Sequence, residues 1–257
     1  MNYVSMAPLV CLGLCAASGV ARAGGSLSAY VVDQSDVLYS LDLTSGATSM
    51  IGQIDEPYIY DLMLSDSGRL FAQHDASPGF IEIDTGTGLV SGGASPDSFF
   101  DGDFLGEQLI GGWQSNIFNV NTSTGVTSDY LVVTYPGTFD RFSSMTIVDA
   151  GLAYAIVGDG FGQSPDLLVS LDFMTGVMTE IDSITHGRRI AGMEFVDGRL
   201  IALDRDGLIF DVSVDDGSFS QIADVGFAVD AFAAVPSPGT LGLLAFAGVL
   251  SSQRRRD

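Results

Sequence analysis

The 257-residue chain has no lysine, a single tryptophan (Trp113), two histidines (His74 and His186) and two cysteines. Each scarcity removes a class of chemistry. Cys11 and Cys15 both lie in a leader-like N-terminal segment. A chain that loses this segment has no thiol, which excludes disulfides, zinc-thiolate centres and cysteine nucleophiles together. Two histidines are too few for a three-histidine metal site, and each is expected in a loop. No G-x-S-x-G elbow is present. Basic charge is scarce as well: ten arginines face 32 acids, for a net charge of −22. Such a surface repels phosphate backbones, which excludes nucleic acid as a partner. It favours solubility in salt and attracts cations or basic partners.

The two ends depart from this acidic average. Val4 to Val20 is apolar or small, and Ala21-Arg22-Ala23 has the small-x-small form that precedes a signal-peptidase cut. The expected organisation is a signal peptide over 1–23, cleaved between Ala23 and Gly24, then a folded body over 24–235. That body holds six arginines against 31 acids. Pro236 and Pro238 end it, since proline breaks regular structure. Gly239 to Ser252 follows without a charge, and Arg254, Arg255 and Arg256 close the chain as a cationic stop. Fourteen residues span only about 21 Å as a helix, short of a ~30 Å hydrocarbon core.

Motif, apolar segment and arginine cluster, in that order, resemble the PEP-CTERM sorting signal handled by exosortases. The likeness covers residues 235–257, with Ser237 standing where the namesake motif has glutamate. It implies transient membrane contact through a short transmembrane segment, and processing by exosortase-type machinery. It also implies delivery to the cell surface or extracellular matrix of a Gram-negative-type bacterium.

The body is repetitive. LYSLDLTSG, FIEIDTGTG, IFNVNTSTG, LVSLDFMTG and IFDVSVDDG align without gaps on Gly46, Gly88, Gly125, Gly176 and Gly217. Apolar residues alternate ahead of each motif with the period of a strand. The short polar residue four before each glycine, and the glycine itself, suit a hairpin turn. The glycines are spaced 42, 37, 51 and 41 residues apart, one four-stranded unit each time. Two further strands precede each of the last four motifs, as in IYDLMLSDSGRLFAQ and AGMEFVDGRLIALD. The first unit lacks its innermost strand, whereas VDAFAAV, Val229 to Val235, has no hairpin after it. The expectation is an all-β, five-bladed β-propeller of four-stranded blades whose ring is closed by the C-terminal strand. The body resembles exported propellers with a D-x-x-T-G hairpin, a similarity that concerns fold and not activity.

Chemistry is sparse. Gly158 to Gly162 superficially suggests a phosphate loop but leads into no helix, and reads as a hairpin loop. Asp204, Asp206 and Gly207 form a fragment of a calcium loop without its distal glutamate, and read as a turn. Aligning the innermost strands places Asp61, Asp101, Ser144, Gly192 and Asp230 at one level. Three carboxylates there would line the central channel and form a set for calcium coordination. Strand-start turn bonding is the competing reading of the same aspartates. Glu194, two positions along its strand, is expected to face the same channel. Two functions follow: a non-enzymatic surface or matrix protein that binds a ligand or surface polysaccharide, or a channel-metal hydrolase or lactonase.

Overall fold

The computed structural model describes residues 27–74, 79–94, 101–136, 141–158, 166–184 and 189–235. Residues 1–26 and 236–257 lie outside these residues. Twenty strands arrange as five four-stranded antiparallel sheets, with no helix among the described residues. Blade 1 joins β1 (Ser28–Asp33), β2 (Val37–Asp42) and β3 (Thr48–Gln53) to the last strand, β20 (Val229–Val235). Blade 2 contains β4 (Ile59–Leu64), β5 (Leu70–His74), β6 (Gly79–Ile83) and β7 (Val90–Ala94). Blade 3 contains β8 (Asp101–Leu105), β9 (Gln108–Trp113), β10 (Asn116–Val120) and β11 (Thr127–Val132). Blade 4 contains β12 (Arg141–Asp149), β13 (Leu152–Gly158), β14 (Asp166–Asp172) and β15 (Val177–Ile184). Blade 5 contains β16 (Ile190–Val196), β17 (Arg199–Asp204), β18 (Leu208–Val212) and β19 (Phe219–Asp224). The innermost strands β20, β4, β8, β12 and β16 touch in that order and return to β20, so the molecule is a closed five-bladed propeller.

Closure follows the expected pairing. β20 runs antiparallel to β1 from Ser28↔Val235 to Val32↔Ala231. The chain's last strand therefore occupies the edge that blade 1 leaves open.

Blades hold together because both faces of the sheets carry apolar side chains. The buried residues fall into five clusters, one per seam. Leu41, Leu203 and Phe232 fill the seam of blades 5 and 1. Leu38, Ile59 and Ala231 fill that of 1 and 2. Ile117, Phe142 and Val169 fill that of 3 and 4, and Ile156, Met193 and Phe210 that of 4 and 5. The seam of blades 2 and 3 is built from Met63, Phe71, Phe80 and Phe104, with Phe71 stacked 5.4 Å from Phe104 and 5.7 Å from Phe80.

The repeated hairpin motif has two jobs. In all five, the glycine N–H donates to the carbonyl four residues back, at 2.8–2.9 Å. The Asp42 and Asp172 carboxylates accept the N–H groups two and three residues on, from Thr44 and Ser45 and from Met174 and Thr175. The glycine also sets the spacing between blades. Gly46 (φ 74°) lies against the carbonyl of Asp224 in blade 5, and Gly176 (φ 73°) against that of Val132 in blade 3. A Cβ at either position would overlap the neighbouring backbone.

Candidate functional site in the central channel

An innermost strand is a sheet edge, so half its backbone groups have no partner within their own blade. β-bulges set which side chains stand beside those groups. Extra residues interrupt the pairing of the inner strand at Tyr60, Ser143, Ala191 and Asp230. The residues just after them, Asp61, Ser144, Gly192 and Ala231, share one level of the channel. Met63, Thr146, Glu194 and Ala233 share the next, and Asp101 and Asp103 of blade 3 occupy the two levels.

This register corrects the sequence alignment at one point. Asp230 is itself the bulged residue, and Ala231 takes the level expected for it. Asp230 Oδ1 faces Arg205 Nη1 at 3.4 Å. Asp61 and Asp101 do come together, with the Gly102 N–H donating to Asp61 Oδ2 at 3.3 Å and to Asp101 Oδ1 at 2.9 Å. The two residues are 8% and 4% exposed, so neither carboxyl is solvated. Glu194 reaches Thr146 on the adjacent strand, which the sequence reading passed over together with Asp103.

The second level forms a repeating clip between blades. Asp103 Oδ2 accepts the N–H of Ile147 in blade 4 at 2.6 Å. Thr146 Oγ1 accepts the N–H of Phe195 in blade 5 at 2.9 Å. The backbone N–H of Ala234 in blade 1 favours the charged form of Glu194. Each donor is the residue after the next acceptor's level, so two consecutive seams use one device. Met63 carries no acceptor at the corresponding place, and the Phe104 N–H turns to Asp103 Oδ1 of its own strand at 2.7 Å. The seam of blades 2 and 3 is clipped instead by Asp61 and, at the rim, by Glu107, which accepts from Ser67 N–H at 2.6 Å and Ser67 Oγ at 2.8 Å.

Burial governs the charge of these acids. It pushes Asp61 up to about 8, against the bonds from Asp101 and the Gly102 N–H that pull it down. It also raises Asp103 to about 7 despite two backbone donors. Asp101 is raised well above the usual carboxylate range by burial, then by repulsion from Asp61. Glu194 is raised by burial and by repulsion from Asp103 and Asp61. No N–H or hydroxyl reaches the buried Asp101 Oδ2. The bond between the two carboxyls pulls Asp61 down and pushes Asp101 up, which puts the shared proton on Asp101, since two close carboxyls cannot both ionise. Calcium binds a carboxyl as the carboxylate, so it would have to displace this proton first. Among the described residues, no group of three or more His, Asp or Glu side chains is disposed to hold a metal ion.

His74 is not in a loop: it ends β5 and is buried, with no partner for Nδ1. His186, residues 159–162, Ala23, Gly24, Pro236, Pro238 and the three terminal arginines lie outside the described residues. Asp204 is a turn residue, its Oδ1 accepting from Asp206 N–H at 3.1 Å and Leu208 N–H at 2.8 Å. Among the described residues, no helix is long and apolar enough to cross a membrane.

The second level opens at one mouth into a cavity of about 330 Å³, floored by Asp103, Thr146 and Glu194 and rimmed by Asp66 and Asp149. The other mouth is lined by arginines.

No protein-family profile matches the chain, and no curated protein matches it. Among solved structures, it is similar to a computationally designed protein, Ika8, at 13% identity and a TM-score of 0.38. The match covers 72% of this chain and 57% of the designed one, so this chain spans a little over half of that protein's length. A likeness of that degree carries no functional argument.

Proposed function

We propose that the protein is an exported, non-enzymatic propeller that acts by binding at the bacterial cell surface or in the extracellular matrix, delivered by its C-terminal segment. One observation carries the delivery reading. The ring is complete when β20 ends at Val235, and the prolines, the 14-residue uncharged run and the three arginines come directly after it. A segment that follows the ring-closing strand, with the composition of a membrane stop, suits a sorting signal. The binding reading is supported by the use to which the channel acids are put. Asp103 accepts from blade 4, Asp61 from blade 3 and Glu194 from Thr146 of blade 4.

The test follows the tail. In an exosortase-bearing host, the wild-type protein is expected outside the inner membrane without residues 241–257. Arg254, Arg255 and Arg256 resist translocation and hold the segment at the inner membrane until processing. Replacing all three with Ser is expected to release the intact chain uncut, as read by mass spectrometry of the fractions. Both proteins arriving at the same place with the tail intact would overturn the reading.

A further inference from the structure

The acidic body has only six arginines, and three of them, Arg141, Arg189 and Arg205, line a single cavity of about 440 Å³ at the mouth opposite the acidic one. Arg189 and Arg205 also line an adjoining pocket of about 230 Å³. The backbone fixes this pair. The Arg205 N–H donates to the Arg189 carbonyl at 2.8 Å, and the Arg205 carbonyl accepts from Val229 N–H at 3.1 Å. The bulges converge on the same place, since Tyr60, Ser143 and Ala191 line the cavity and Asp230 stands beside Arg205. Bulges re-aim side chains and concentrate beside functional sites. Here, strands from four blades each turn one residue toward one mouth.

We propose that this mouth binds the carboxylate of an acidic saccharide, with Arg189 and Arg205 as the anion-holding residues and Arg141 beside them. The guanidinium fork matches a carboxylate with two parallel bonds. Arg205 touches Asp230 through one nitrogen at 3.4 Å, which leaves most of its five donors for a ligand. Arg189 is exposed and forms no ion pair among the described residues. Asp166 in the cavity, Asp206 in the adjoining pocket and Asp230 beside Arg205 offset much of the local positive charge, so the site suits one carboxylate on a polyhydroxylated body better than a dense polyanion. The volume lies in the range of small-molecule sites, roughly 300–1,000 Å³, and exceeds the needs of an inorganic anion. Tyr60 and the exposed Ser143 put hydroxyl groups at its wall. An acidic peptide that binds by strand addition needs one continuous sheet edge to pair with. The wall is assembled from the ends of separate blades, and offers none.

The proposal deepens the binding reading and is independent of the sorting signal, because it is tested on purified protein in solution. Dimers of galacturonate, glucuronate and mannuronate, their neutral methyl esters, and triglutamate are titrated by calorimetry. At least one uronate dimer is expected to bind, with its ester about tenfold or more weaker, a loss of roughly 1.4 kcal/mol. Arg189→Gln, at an exposed side chain, is expected to lower affinity about tenfold with an unchanged melting temperature, and Arg205→Gln to do likewise. Affinity should also fall with added salt. Absence of binding by all three dimers, equal binding of acid and ester, or full affinity in Arg189→Gln would overturn the site. Triglutamate binding as tightly as the best dimer would overturn the saccharide assignment.

Discussion

Asp101 and Asp61 have opposing demands on one proton. Both carboxyls are buried, Asp101 Oδ2 has no other donor, and burial raises both above the usual carboxylate range. A carboxyl whose folded pKa is raised stabilises the fold while protonated. That contribution is complete below the unfolded value near 3.8 and is lost as pH rises through the folded value of about 8 for Asp61. Asp103 acts in the same sense up to about 7. The melting temperature is therefore expected to fall from pH 5 to pH 9, by roughly 2–4 °C for each kcal/mol in a domain of this size. Asp101→Asn keeps an N–H donor toward Asp61 and removes one titrating group. It should flatten that decline and melt no lower than the wild type at pH 8, measured by circular dichroism. Parallel curves for the two proteins would show that the pair does not share a proton.

At the scale of the element, the hairpin repeat was readable because one short polar residue and one glycine sit at a fixed distance in every blade. The second role of the glycine was not readable, since close approach to another blade leaves no local mark. Gly46 and Gly226 separate the two roles. Both have positive φ, 74° and 84°, but only Gly46 lies against another blade; nothing stands within 4 Å of a Cβ on Gly226. Gly226→Ala should cost about 1–2 kcal/mol from the left-handed backbone alone. Gly46→Ala adds overpacking of about 1–3 kcal/mol, and denaturant melts should resolve the difference. Equal losses would remove the blade-spacing role. The bulges explain the error at Asp230 in the same terms. Tyr60, Ser143, Ala191 and Asp230 have no chemistry in common, so a gapless alignment cannot see that each is an extra residue. Asp103 and Thr146 stood two positions beyond the aligned level, on the same face by the period of a strand. Their role as inter-blade acceptors appears only when neighbouring strands are brought side by side.

At the scale of the whole molecule, five seams must close simultaneously, and β20 belongs to two of them. Val229, Phe232 and Ala234 pack in the seam with blade 5, while Ala231 and Ala233 pack in the seam with blade 2. β20 also supplies the ladder for β1. Burying Val229 and Phe232 is worth about 1.5–3 kcal/mol each, and each of the three alanine methyls about 0.8 kcal/mol. Losing these five side chains and a full ladder therefore costs on the order of the 5–15 kcal/mol that holds a whole domain together. A chain ending at Ala228 should lack a cooperative transition and aggregate through the exposed edge of β1. The reference is a chain ending at Val235, which differs only by this strand, and which is expected to melt cooperatively as a monomer. The expected contrast is all-or-none, read by calorimetry and light scattering on the two truncations. If the chain ending at Ala228 melts at the same temperature as the reference, the ring does not depend on its C-terminal strand.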